Sequence, residues 1–164
     1  MDSVLPKDIC DLARRVVQEN VAAGRTVALA ESCTGGLVAG AITEIPGSSA
    51  VLDRGFVTYS NEAKMQTLGV SAEVLEAFGA VSVACVYEMA RGALEHSDAD
   101  VAVAISGIAG PGGGSDIKPV GTVVFARAIR GEEEMFAESK EFSDEGRGGV
   151  RRQATLVALE LLLP

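Results

Sequence analysis

Apolar positions along this chain follow two rhythms, stretches with a period near 3.6 residues and short unbroken runs, and their alternation predicts helices interleaved with strands. From Pro6 to Ala23, Ile9, Leu12, Ala13, Val16 and Val17 recur at helical spacing, while Arg14, Arg15, Gln18 and Glu19 fall on other faces. Gly24 ends this packing helix. Thr26 to Ala30 is a short apolar, β-tolerant run, and a second helix is predicted from Gly35 to Ile45 with Leu37, Ala41, Ile42 and Ile45 on one side. Pro46-Gly47-Ser48-Ser49 has the composition of a turn. Val51 to Ser60 reads as a second strand that buries Phe56 and Val57. Ser60 or Asn61 then caps a short helix reaching Leu68 and stopped by Gly69. Ser71 and Ser82 cap two further helices, the second running to about Glu95 with Val83, Val86, Met89, Ala90 and Leu94 inward.

Val101 to Ile105 is nearly continuously apolar, as expected of a strand covered on both faces. It runs into Ser106 to Ser115, which is too rich in glycine for regular structure. Gly121 to Arg130 and Glu134 to Phe142 form a predicted hairpin about Arg130-Gly131-Glu132, so part of the sheet must be antiparallel. A last helix, from about Gly149 to Leu163, is expected to bury Val150, Leu156, Val157, Leu159 and Leu162. The simplest assembly is a three-layer α/β/α fold. It has one mixed, mostly parallel sheet of about five strands with helices on both faces, in a single domain over residues 1–164.

Composition narrows the function classes. The 164 residues suit one domain, and a chain of this size buries roughly 70% of its unfolded surface without a staple. Aromatics are only 4%, so Ala, Val, Leu and Ile must build the core. A net charge of −9 argues against a nucleic-acid surface, because phosphate contacts dominate that kind of affinity. Cys10, Cys33 and Cys85 are odd in number and widely spaced, which fits a reducing compartment and offers no zinc site. The first residues are charged and lack a signal-peptide core, and no segment has the ~20 apolar residues that cross a bilayer. A cytoplasmic protein without a membrane partner is expected, and a symmetric homo-oligomer is the default for such a domain.

The chemistry-bearing stretch is Glu31-Ser32-Cys33-Thr34-Gly35-Gly36, where the first strand hands over to a helix at the carboxyl edge of a parallel sheet. A hydroxyl there faces the unpaired N–H groups of a helix start, which can hold a phosphate or a developing oxyanion. The plain alternative is that Ser32 or Thr34 caps the helix and the glycines shape the turn. Gly110 to Ser115 has the glycines of a phosphate loop but no Gly-Lys-Ser/Thr ending, and no strand is followed by Gly-x-Gly-x-x-Gly. His96 lies in the polar run Glu95-His96-Ser97-Asp98, so a Ser-His-Asp triad is not expected. No metal or other cofactor is called for, since only scattered carboxylates could ligate one. A base for Ser32 must then be something else. Lys64, in the first turn of its helix, stands where the dipole disfavours a cation and lowers its pKa; as an alternative it is an ordinary solvated lysine. Tyr59, at the strand end, could relay a proton or orient Lys64, or be a half-buried strand residue.

Together these residues resemble the CinA C-terminal domain family. The resemblance is carried by Ala30-Glu31-Ser32-Cys33-Thr34-Gly35-Gly36, Pro46-Gly47-Ser48-Ser49, Gly55-Phe56-Val57-Thr58-Tyr59-Ser60-Asn61, Lys64 and Gly69-Val70. Ser106-Gly107-Ile108-Ala109-Gly110-Pro111 and Lys118-Pro119-Val120-Gly121-Thr122-Val123 complete it, so it covers nearly the whole chain. It implies a nicotinamide-nucleotide amidohydrolase that converts nicotinamide mononucleotide and water to nicotinic acid mononucleotide and ammonia, with Ser32 as nucleophile and Lys64 and Tyr59 as base and relay. It further implies a substrate-binding set of Glu31, Thr34, Gly35, Gly36, Ser48, Gly107, Ala109, Gly110, Thr122, Arg147 and Arg151. Two departures stand out. Longer family members carry an N-terminal domain for which this chain has no room. Where Gly-Asp-Arg is expected before the last helix, the chain reads Asp144-Glu145-Gly146-Arg147-Gly148-Gly149, with an apparent insertion. A different class of function is a nucleotide-binding module of the same fold without turnover, which ammonia release would separate. A third is an amidase using Cys33, which iodoacetamide would reveal.

Overall fold

A computed structural model describes residues 2–142 and 145–164. Six helices and five strands alternate in the order α1 (Lys7–Ala23), β1 (Val27–Glu31), α2 (Leu37–Thr43), β2 (Leu52–Val57), α3 (Asn61–Leu68), α4 (Ala72–Phe78), α5 (Val83–Glu95), β3 (Val101–Gly107), β4 (Thr122–Ile129), β5 (Phe136–Glu141) and α6 (Gly146–Leu161). The caps follow the local chemistry. Ser60, Ser71 and Ser82 each accept a backbone N–H at the start of α3, α4 and α5.

The strands form one sheet in the order β2-β1-β3-β4-β5. β1 pairs parallel with β2 and with β3, whereas β3–β4 and β4–β5 are antiparallel. β4 alone is reversed in direction, yet because it sits between β3 and β5 parallel pairing makes up half of the sheet rather than most of it. Alternation along the strands sorts the core in two. Val27, Leu29, Val101, Val103, Ile105, Val123 and Phe125 pack with residues of α1, α2 and α6. Ala28, Ala30, Ala102, Ala104, Ala126 and Ala128 pack with those of α5 on the other face.

Several expectations shift. Val57 is 55% exposed, not buried, because β2 is an edge strand and the nearest cover there is Gly36, which has no side chain. Val83, the first residue of α5, is 45% exposed, since α5 packs only from Cys85 onward. The strand expected to reach Ser60 ends at Val57, and α2 ends at Thr43. The final helix starts at Gly146, three residues earlier than its apolar pattern indicated, which brings Arg147 into its first turn. Asp144, where the apparent insertion begins, lies outside the described residues.

The connections of β1 and β3 leave in opposite directions. β1 runs through α2 out to edge strand β2, while β3 leads by the glycine-rich loop to β4 on its other side. Between adjacent parallel strands this is the crevice where α/β sheets bind ligands.

Candidate active site

Ser32 directly follows β1, and its N–H donates to the Ile105 carbonyl at 2.9 Å, extending the β1–β3 ladder by one residue. The turn beyond it closes with Gly35 N–H on the Ser32 carbonyl and Leu37 N–H on the Thr34 carbonyl. Gly35 (φ 57°) and Gly36 (φ 102°) are both left-handed, a conformation that other residues adopt only at a cost. Two successive such residues swing the chain from strand to helix within five residues. Among the described residues, the N–H groups of Cys33, Thr34 and Gly36 meet no acceptor. They are open donors within the turn that carries Ser32.

Alternation turns Glu31 and Ser32 to opposite faces. Glu31, 1% exposed, points toward α2, and its two carboxylate oxygens accept the Val38 and Ala39 N–H groups at 3.0 and 3.1 Å. Ser32 points to the α3–α5 face, where Lys64 meets it. Lys64 Nζ lies 2.9 Å from Ser32 Oγ, 2.9 Å from the Thr58 carbonyl and 3.2 Å from the Tyr59 carbonyl. The lysine is 1% exposed, and no described carboxylate pairs with it. Burial pushes its pKa below the ordinary lysine value. The cause is desolvation, whereas the sequence pointed to the dipole of α3.

Three acceptors around one nitrogen suit both protonation states. An ammonium has a partner for each N–H. A neutral amine keeps its two N–H groups on the carbonyls and directs its lone pair at the Ser32 hydroxyl. Such a cradle can take the serine proton and give it back.

The other expected residues divide by position. Tyr59 contributes its carbonyl to the lysine, while its ring is 62% exposed and its hydroxyl accepts a hydrogen bond from Arg147 Nη2 at 3.3 Å. Arg147 Nη1 also donates to the Gly110 carbonyl at 2.8 Å, linking α6, the glycine-rich loop and Tyr59 across the mouth of the crevice. Arg151 Nε donates to the Cys33 carbonyl at 3.0 Å. Gly107, Ala109, Gly110 and Thr122 stand at the same edge, where Ile108 N–H bonds the Thr122 carbonyl. A Cβ on Gly107 would come within 2.8 Å of Val123 Cγ2 and 3.0 Å of the Thr122 carbonyl oxygen. Ser48 does not join them. It sits in a single 3-10 turn leading into β2, at the amino edge of the parallel strands, and α2 separates it from Ser32. Cys33 is 5% exposed, and burial pushes its thiol up to about 11, which keeps it protonated. A separate cleft of about 550 Å³ near the start of α1, lined by Ser3, Cys10, Asp11, Arg14 and Glu44 among others, brings no such pair together.

Two hydroxyls flank Ser32 that composition did not single out. The register Glu31↔Val57 and Glu31↔Ile105 continues to Thr58 and Ser106, both 1% exposed and both on the face of Ser32. Thr58 Oγ1 is buried without a partner among the described residues, as is Thr34 Oγ1. Thr58 directly follows β2 and Ser106 is the penultimate residue of β3, and in the sequence both stand only as members of the motifs that carry the family resemblance.

The CinA C-terminal domain family model matches residues 10–164. The chain belongs to that family. Among its relatives, the protein named nicotinamide-nucleotide amidohydrolase PncC of Escherichia coli K12 is 57% identical over 94% of this chain and 93% of its own length. A CinA-like protein of Shewanella loihica is 45% identical over 98% of this chain but only 38% of its own length. Among solved structures, the competence/damage inducible protein CihA from Agrobacterium tumefaciens superposes with a TM-score of 0.95 at 52% identity, over 98% of this chain and 97% of that one. This chain therefore shares its fold with that protein.

Proposed function

We propose that this CinA-family domain hydrolyses nicotinamide mononucleotide to nicotinic acid mononucleotide and ammonia, with Ser32 as nucleophile and Lys64 as base. The observation that carries the reading is the 2.9 Å approach of a buried lysine amine, with no carboxylate partner among the described residues, to a serine hydroxyl at the ligand crevice of the sheet. The name borne by relatives at 57% identity supports the substrate. An amide carbonyl is a poor electrophile, so its hydrolysis needs an aimed nucleophile and a site for the oxyanion.

The steps balance within this set. Neutral Lys64 Nζ takes the Ser32 proton as Oγ bonds the amide carbon, and the carbonyl oxygen takes up the charge beside the free N–H groups of Cys33, Thr34 and Gly36. The C–N bond then breaks, its electron pair goes to nitrogen, and the Lys64 proton follows, so ammonia leaves. Water attacks the acyl carbon and yields a proton to Lys64, which returns it to Ser32 Oγ as the acid departs. Arg147 and Arg151 on α6 are read as holding the nucleotide phosphate, with Tyr59 framing the mouth. A module that only binds nucleotides would aim such a lysine at a phosphate, whereas among the described residues Lys64 is aimed at the Ser32 hydroxyl and two carbonyls.

The test is formation of ammonia and nicotinic acid mononucleotide by purified protein in EDTA. Wild type should turn over and Ser32→Ala should not, and nicotinamide riboside, which lacks the phosphate, should be a poorer substrate. Binding of the mononucleotide without ammonia release would leave the binding-module reading in its place. Activity of Ser32→Ala that iodoacetamide abolishes would move the chemistry to Cys33.

A further inference from the structure

Glu31 is a buried carboxylate one residue from the proposed nucleophile, and a residue so placed invites a role in holding substrate. Its surroundings indicate otherwise. At 1% exposure it faces away from Ser32, and its oxygens bond the second and third N–H groups of α2, Val38 and Ala39, at 3.0 and 3.1 Å. A helix start leaves these donors unsatisfied unless a side chain or ligand reaches them, and here the side chain comes from the strand that precedes the turn. Helix α2 gets no capping bond from the Gly36 position, so Glu31 supplies what an ordinary cap residue would.

The result is a closed clamp. One end of the Ser32–Gly36 turn is fixed by Ser32 N–H on Ile105, and its interior is fixed by Gly35 N–H on Ser32 and Leu37 N–H on Thr34. Glu31 ties the far end, the first turn of α2, back to β1. What remains unbonded among the described residues is the set at Cys33, Thr34 and Gly36, in the turn that carries Ser32. We propose that Glu31 is a positioning residue: by bonding Val38 and Ala39 from the strand side it holds the Ser32–Gly36 turn, and its free N–H groups, in the geometry that reacts, and it does not touch the substrate.

This inference rests on the hydrolysis proposed above, and its test separates the two. Uniform substrate contacts act on KM, whereas alignment needed only in the transition state acts on kcat. Glu31→Gln keeps one acceptor but opposes an amide N–H₂ to a backbone N–H. It should lower kcat about tenfold with KM within about threefold, a fraction of the ~10²–10³ that outright loss of one oxyanion donor costs. Glu31→Ala, which removes both acceptors, should lower kcat about a hundredfold. A rise in KM at unchanged kcat in Glu31→Gln would overturn the proposal, and so would unchanged kcat per folded molecule with only a fall in Tm. A second measurement needs no variant. In the wild type the Val38 and Ala39 amides should be protected from hydrogen exchange and keep their NMR shifts when nicotinic acid mononucleotide is titrated in. Shifts or lost protection at those two amides would mean that the ligand displaces Glu31, and would also overturn it. If the wild type releases no ammonia, the hydrolysis reading fails, while the exchange measurement still decides whether Glu31 yields its place to a nucleotide.

Discussion

The two faces of the sheet are built from different residues, and the difference separates what holds the domain together from what it does. Toward α1, α2 and α6 the strands present Val, Leu, Ile and Phe, branched and bulky side chains that fill the space under three helices. Toward α5 the same strands present alanine six times. Small side chains let a helix come close, and α5 continues the theme. A Cβ on Gly92 would lie 2.0 Å from the Leu68 carbonyl oxygen, so only glycine there lets the end of α3 press onto α5. The close packing on this side carries α3, and with it Lys64, up against the end of β1. The bulky face holds the larger cluster of buried apolar residues, while the alanine face sets a lysine where it has no counter-ion among the described residues.

The sharpest way to break this comparison is at the pair that the alanine face assembles. Ser32→Ala and Lys64→Ala should each cost a factor of about 10³ or more in kcat, and the double variant should be little worse than either, because residues acting as one unit give non-additive losses. Additive losses would mean that the two act separately, and a nearly silent Lys64→Ala would remove the lysine from the chemistry. Next come substitutions that strain each face. Leu29→Ala, a cavity on the bulky face, should cost about 2–5 kcal/mol of stability with kcat of the folded protein unchanged. Gly92→Ala should cost both, since the Leu68 backbone must move and Lys64 moves with it. Denaturant midpoints measured beside kcat distinguish the two, and an unchanged kcat in Gly92→Ala would uncouple α5 packing from the site.

Much of this was legible in the sequence, and the reasons for the gaps are physical. Caps at Ser60, Ser71 and Ser82 and the stop at Gly69 rest on interactions within a few residues, so local chemistry fixes them. Ser32 and Lys64 were placed at one edge of the sheet by strand and helix order alone. Their 2.9 Å approach needed the packing of α3, which no spacing encodes. The burial of Val57 failed as an expectation because alternation says which face a residue takes, not whether anything covers that face at an edge strand. Thr58 and Ser106 belong to the family motifs, but their place beside Ser32 is a matter of register between strands far apart in sequence. Ser48 was drawn in by a motif that packs at the other end of α2.

The lysine should also leave a mark on stability. Its pKa in the folded protein lies below the value near 10.4 of an unfolded chain, so between the two the unfolded state binds more protons and stability rises with pH. Below both values the folded protein carries the full burden of a buried ammonium. Lys64→Met removes that burden, at a constant cost for leaving the Thr58 carbonyl without its donor. The stability of Lys64→Met relative to wild type should therefore improve as pH falls from the unfolded value near 10.4 to the folded pKa, by about 1.4 kcal/mol for each unit that burial lowers it, and level off below that. Difference curves from chemical denaturation between pH 6 and about 10.5 measure this directly. A flat difference would mean that Lys64 keeps an ordinary pKa and is a poor general base.

The smallest effect is expected at the mouth of the crevice, where α6 rather than α2 should bind the phosphate. The positive end of α2 is offset by Glu31, whose carboxylate already bonds its N–H groups. Arg147 is differently placed. It is exposed, and among the described residues its hydrogen bonds run to the neutral Gly110 carbonyl and Tyr59 hydroxyl rather than to a carboxylate. A guanidinium fork so placed can grip a phosphate bidentately. Such a contact is equally strong in ground and transition states, so Arg147→Lys should raise KM for the mononucleotide by about tenfold and leave kcat within about twofold. The same variant should barely change KM for nicotinamide riboside, because that substrate has no phosphate to lose. An equal rise in KM for both substrates would make Arg147 a support for Tyr59 and the Gly110 loop instead, and a fall in kcat at constant KM would draw it into the chemistry of Ser32.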